Sequence, residues 1–129
     1  MTHSTKLILL KYALVAFGSI FLLVYPLGLL WPSGWVWHGG QGAYYLQMIC
    51  VIYAVLGIFM ILAARNPAEH RSIVSFVVWS SAAHGGVMSV QAVMDGHEMG
   101  HMIGDVPALF LVALVLGYLN TASAKPATV

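Results

Sequence analysis

Four long apolar runs dominate the chain: Tyr12 to Leu30 (YALVAFGSIFLLVYPLGLL), about Ala43 to Ala64, Ile73 to Met94, and about Val106 to Ala122. Each approaches the roughly 17–25 residues that an α-helix needs to cross the hydrocarbon core of a bilayer. Polar residues, glycine and proline gather between the runs. Short connections make sequential helices antiparallel neighbours. The pattern therefore predicts an all-α integral membrane four-helix bundle of antiparallel up-down topology, with residues 1–129 forming a single membrane domain. The first run is longer than the apolar part of a signal peptide and ends in Trp31-Pro32 rather than in small residues, so it reads as a retained span. Pro26 and Gly28 predict a kink or fraying at its end.

Placed at about 100° per residue, the third run separates into three faces. Phe76, Trp79, Ala83, Val87, Val90 and Met94 form an apolar stripe suited to lipid. Ser81, Gly85 and Ser89, beside Ala82 and Gly86, form a small-residue ridge that lets another helix approach closely. Ser80, His84, Met88, Gln91 and Asp95 form a polar stripe, expected to point into the bundle.

Composition changes the picture from long helices to membrane helices. Of 129 residues, 60% are hydrophobic and 7% charged, with mean hydropathy +0.89. A soluble domain carries about 25% charged residues, so the lipid bilayer is the expected solvent. The basic residues orient the chain: Lys6, Lys11, Arg65, Arg71 and Lys125 all fall on one side of the four runs. Basic residues near helix ends stay in the cytoplasm, which predicts N-in and C-in. Trp31, Trp35 and Trp37, with Tyr44 and Tyr45, then form an outer aromatic belt. A net charge of +1 without a basic cluster argues against nucleic acid as a partner. The single cysteine, Cys50, excludes an intrachain disulfide and reads as a small packing residue. Met48, Met60 and Met88 likewise read as packing residues.

Two places carry candidate chemistry. His84 lies near the middle of its span, where an ionisable residue faces the protein interior and marks a functional hypothesis. Its plainer role is a hydrogen bond to Gln47, Tyr53 or Tyr25 on a neighbouring helix. The second place is DGHEMGHMIGD, Asp95 to Asp105, in the outer loop. HEMGH satisfies the H-E-x-x-H pattern, which in zinc hydrolases puts both histidines on one face of a helix and uses the glutamate, here Glu98, as general base. Gly96, Gly100 and Gly104 oppose a regular helix, at about 1 kcal/mol each relative to alanine. His97 and Asp105 would be about 12 Å apart in a helix, too far for one ion. A weaker site for zinc or copper remains open, drawn from His97, His101, His38, Asp95 and Asp105. So does a plain hydrated polar loop. The segment RNPAEHR, with Glu69 and His70, reads as a cytoplasmic turn.

The stretches RNPAEHRS, WSSAAHGGVMSVQAVMDG and GDVPALFL resemble a group of small bacterial membrane proteins known only as a domain of unknown function. That resemblance spans most of the chain and implies a four-span fold in the bacterial cytoplasmic (inner) membrane, with no catalytic residue to carry over. The preferred expectation is a non-enzymatic accessory or ligand-binding membrane protein with a polar interior around His84, acting on a small-molecule or metal ligand, as a homo-oligomer or part of a larger membrane complex. The alternatives are a zinc- or copper-binding or transport component using His97 and His101, and a membrane metallohydrolase using Glu98.

Overall fold

The computed structural model describes residues 1–36 and 43–123, so Trp37, His38 and Lys125 lie outside the described residues. The first helix, α1, spans His3–Leu22 and so begins well before the apolar run at Tyr12. Its start is set by a polar cap: the Thr2 hydroxyl accepts from the Thr5 backbone N–H at 3.2 Å, satisfying one of the donors a helix N-terminus leaves open. The helix breaks at Leu23 and resumes as α2, Val24–Leu30. Pro26 explains the break, because its ring has no N–H and crowds the carbonyl four residues back, at Leu22. A single turn, α3 (Pro32–Trp35), follows, with proline at its first position.

Helix α4 covers Ala43–Ala63 and α5 covers Arg71–Met94. A 3-10 helix, Gly96–Met102, leads into α6, Asp105–Asn120, which ends in a 3-10 turn at Thr121–Ser123. No strand occurs among the described residues. Among the described residues, four segments are long and apolar enough to cross a membrane: His3–Leu22, Tyr44–Ala63, Arg71–Met94 and Gly96–Ser123.

Two close pairs organise the packing. Helices α1 and α4 meet at Gly18 and Gly57, where a Cβ on Gly57 would stand 2.4 Å from the Gly18 carbonyl oxygen. Only glycine allows backbones this near. Helices α5 and α6 pair along Val78–Gly117 and Gly85–Leu109, with Cβ-type contacts of 3.4 Å. In both pairs residue numbers rise on one helix as they fall on the other, so the partners are antiparallel. Lys6 joins the pairs at one end: its ammonium lies 3.4 Å from the Thr121 hydroxyl and 4.3 Å from the Tyr118 ring centroid. At the opposite end, α3 packs on the Gly96–Met102 segment. Helices α4 and α5 scarcely touch.

The tightest core lies nearer the Lys6 end, where Leu10, Leu14, Met60, Val74, Val77 and Leu116 have no exposed surface. Met88 is also buried, whereas Met48 faces outward. The stripe assigned to lipid is indeed outward: Phe76, Trp79, Val87, Val90 and Met94 are all exposed. An apolar outer surface of this extent is one a bilayer, not water, would solvate.

Candidate functional site

The buried face of α5 is Val74, Val77, Ser81, Gly85, Met88 and Ala92, a 3-4 spacing whose centre falls on the small-residue ridge. The polar stripe therefore runs along one edge of the interior and is split by it. Met88 is buried and His84 half-buried. Ser80 is half-buried and donates to the Val77 carbonyl at 3.3 Å. Gln91 is exposed and borders an outward depression with Gly86 and Val90. Asp95 is exposed too, capping the next segment by accepting from the His97 N–H at 3.0 Å. Of the residues placed in one stripe, Met88 and His84 turn toward the interior, and Gln91 and Asp95 are exposed. The ridge of small residues packed more closely than the polar side chains, and so took the centre.

His84 Nδ1 is hydrogen-bonded to the Tyr53 hydroxyl of α4. The two rings stack at 5.8 Å with planes 12° apart, and Phe21 of α1 meets Tyr53 edge-on at 5.2 Å. Of the three partners expected for His84, Tyr53 is the one in contact; Gln47 and Tyr25 are exposed. Where α4 and α5 stand apart, a cavity of about 90 Å3 remains. Phe21, Trp35, Cys50, Leu109 and Val112 supply apolar wall, and Tyr53, His84 and Asp105 supply polar groups. Neither Trp35 nor Cys50 was marked for such a role by the sequence, because each sits in an apolar or interfacial context that suits plain packing equally well.

The HEMGH segment is a 3-10 helix, and this decides the fate of the motif. At three residues per turn, side chains three apart eclipse, whereas those four apart diverge. His97 is accordingly exposed and His101 fully buried, so the two histidines do not share a face. The eclipsed pair is instead Glu98 and His101: Glu98 Oε2 lies 3.3 Å from His101 Nε2. On the other edge of the ring, Asp105 Oδ1 lies 2.8 Å from Nδ1. Glu98 and His101 are buried, at 3% and 0% exposure. The two carboxylates sit on opposite ring nitrogens and point toward the imidazole, not toward a shared ion. Among the described residues no group of three or more His, Cys, Asp or Glu is placed to hold a metal ion. The set His97, His101, Asp95 and Asp105 is thus not gathered, and His38 lies outside the described residues.

The glycines expected to weaken a helix here have a packing reason. A Cβ on Gly100 would stand 2.1 Å from the Ser33 carbonyl oxygen, and one on Gly104 would stand 2.2 Å from that of Gly34. Residues 33 and 34 thus lie backbone-to-backbone on the segment that carries the buried His101. Glu69 and His70, in the turn at the other end, are exposed.

Residues 4–128 match a family described as a family of unknown function (DUF6632), and the chain belongs to that family. No curated protein and no solved structure matches it.

Proposed function

We propose that this member of the DUF6632 family is a non-enzymatic multi-pass protein of the bacterial inner membrane that holds a small ligand in the cavity beside His84. In this reading it is a four-helix bundle with both termini in the cytoplasm. Support for the orientation comes from charge: Lys6, Lys11, Arg65 and Arg71 lie away from the Gly96–Met102 end, and positive residues stay inside. The observation that carries the ligand reading is the cavity itself. Apolar walls with a few convergent polar groups are the usual make-up of a small-molecule site, and here Tyr53, His84 and Asp105 are the polar groups. A half-buried carboxylate and imidazole within helices of membrane-spanning length are costly without a task.

The test uses discs cut directly from the membrane and native mass spectrometry. The parent chain should carry a bound small molecule that Ala108→Phe, which fills the cavity from α6, excludes. Identical bound masses in parent and variant would overturn the reading. For orientation, a reporter active only outside the cytoplasm should be silent when fused at Val129 and active when inserted at Gly100.

A further inference from the structure

We infer that the cavity beside His84 takes a single-chain amphiphile from the bilayer, its hydroxyl head on the Tyr53–His84 pair and its chain directed toward α2; this rests on reading the cavity as a ligand site. The head follows from the hydrogen bonds that the pair leaves free. His84 has one side-chain partner, the Tyr53 hydroxyl, and both residues border the cavity. That partner is uncharged and a charge within a span is costly, so the imidazole is neutral, with one donor and one acceptor. If Tyr53 donates to Nδ1, the groups left free are the Nε2 N–H and the tyrosine oxygen. If Nδ1 donates, they are the tyrosine O–H and Nε2. Either way the pair presents one donor and one acceptor.

A hydroxyl satisfies both groups, since it donates and accepts at one atom. An ammonium only donates and a carboxylate only accepts, so each would leave one of the two unmet. Among the described residues, no lysine or arginine borders the cavity to receive a carboxylate.

The chain follows from the walls. A second cavity, of about 190 Å3, adjoins the first, because Val24, Trp35, Leu46 and Cys50 border both. Gly28, Leu29 and Val36 add further apolar wall to it. The first cavity measures about 90 Å3. Since benzene needs roughly 150 Å3, the two spaces together hold about eleven non-hydrogen atoms. Exposed residues of α1, α2 and α4 border these spaces, namely Ile20, Leu29 and Ile49, and α4 scarcely touches α5. The way in therefore lies on the flank of the helices, where lipid is the solvent in this reading, and an occupant arrives from the bilayer.

The experiment titrates the full chain in phosphatidylcholine nanodiscs with n-octanol and with heptyl methyl ether, subtracting heats from empty discs. The two probes share one molecular formula, but the ether accepts hydrogen bonds without donating them. Octanol should bind about tenfold more tightly, the range set by one buried hydrogen bond made or left unmade. Tyr53→Phe combined with His84→Leu should bring octanol down to the affinity of the ether. Octanol carrying a diazirine on its chain, irradiated in the same discs, should label residues that border the second cavity, such as Leu29 and Leu46, and plain octanol should suppress that label. If the double variant does not fold, the two probes and the label on the parent chain decide. Ether binding as tightly as octanol, a preference that survives the double variant, or label confined to other residues overturns the hydroxyl inference and leaves the cavity reading standing. Saturable binding of neither probe also overturns it, and the cavity reading is then decided by the bound masses of the parent chain and Ala108→Phe.

Discussion

The two ends of the molecule are built from the same helices and solve the same burial problem differently. Toward the Lys6 end, α1, α4, α5 and α6 close on aliphatic side chains such as Leu10, Leu14, Met60 and Leu116, none with exposed surface. A side-chain hydrogen bond between helices there is the modest one from the Asn120 amide to the Ser75 hydroxyl, at 3.2 Å. Toward the HEMGH end, α4 and α5 part, a cavity opens, and a buried glutamate and histidine stand in series with a half-buried aspartate. The contrast teaches where each property resides. The close-packed end buries aliphatic side chains, whereas the open end gives up packing in order to hold polar groups that a bilayer would otherwise reject. Backbone contacts through Gly100 and Gly104 against residues 33 and 34 then shield those groups.

The strongest way to break this comparison is His101→Ala. Removing the imidazole leaves Glu98 and Asp105 facing a void without their shared partner. Loss of one member of a buried ionic set costs about 3–5 kcal/mol, which equilibrium unfolding in mixed micelles would register. A loss below about 1 kcal/mol, the worth of a solvent-screened ion pair, would show that water already reaches this end.

At the opposite end, Leu116→Ala tests the aliphatic core. Leu116 has no exposed surface, and truncating such a leucine costs about 2–5 kcal/mol through lost contacts and the cavity left behind. The same variant should leave ligand binding near His84 unchanged, since Leu116 does not border that cavity. Altered binding would mean that the two ends are coupled.

A glycine pair sharpens the packing argument. Gly57→Ala places a methyl 2.4 Å from the Gly18 carbonyl oxygen and should cost about 1–3 kcal/mol by overpacking. Gly86→Ala meets no atom within 4 Å and should be neutral, or stabilising by up to about 1 kcal/mol from helix propensity. Equal melting temperatures for the two variants would remove the case for a close α1–α4 contact.

The smallest effect expected is that of Tyr53→Phe. It deletes the hydroxyl that pairs with His84 and keeps the ring against Phe21. Interhelical hydrogen bonds of this kind average about 0.6 kcal/mol in membrane proteins. Ligand affinity in the cavity should fall further than stability does, because the freed imidazole can reorient. A variant that binds as the parent does would take Tyr53 and His84 out of the site.

By itself the sequence determined the four apolar segments, their membrane-compatible length and the outward face of α5 through Phe76, Trp79 and Val90. It also narrowed the partners of His84 to three, Tyr53 among them. These are properties of single segments, since hydropathy and helical periodicity accumulate residue by residue along the chain. Tertiary structure alone decided the rest. The polar start of α1 became helix because Thr2 caps it and Lys6 reaches Thr121 across the fold. The HEMGH segment adopted three residues per turn, packed with Gly100 and Gly104 on the backbone of residues 33 and 34. That pitch paired Glu98 with His101 and turned His97 outward, undoing the two-histidine face that the pattern suggested. A motif read from sequence assumes a pitch, whereas the pitch here is set together with contacts between segments some seventy residues apart. Spacing along one segment cannot carry that information, because the contact exists only once both segments have folded.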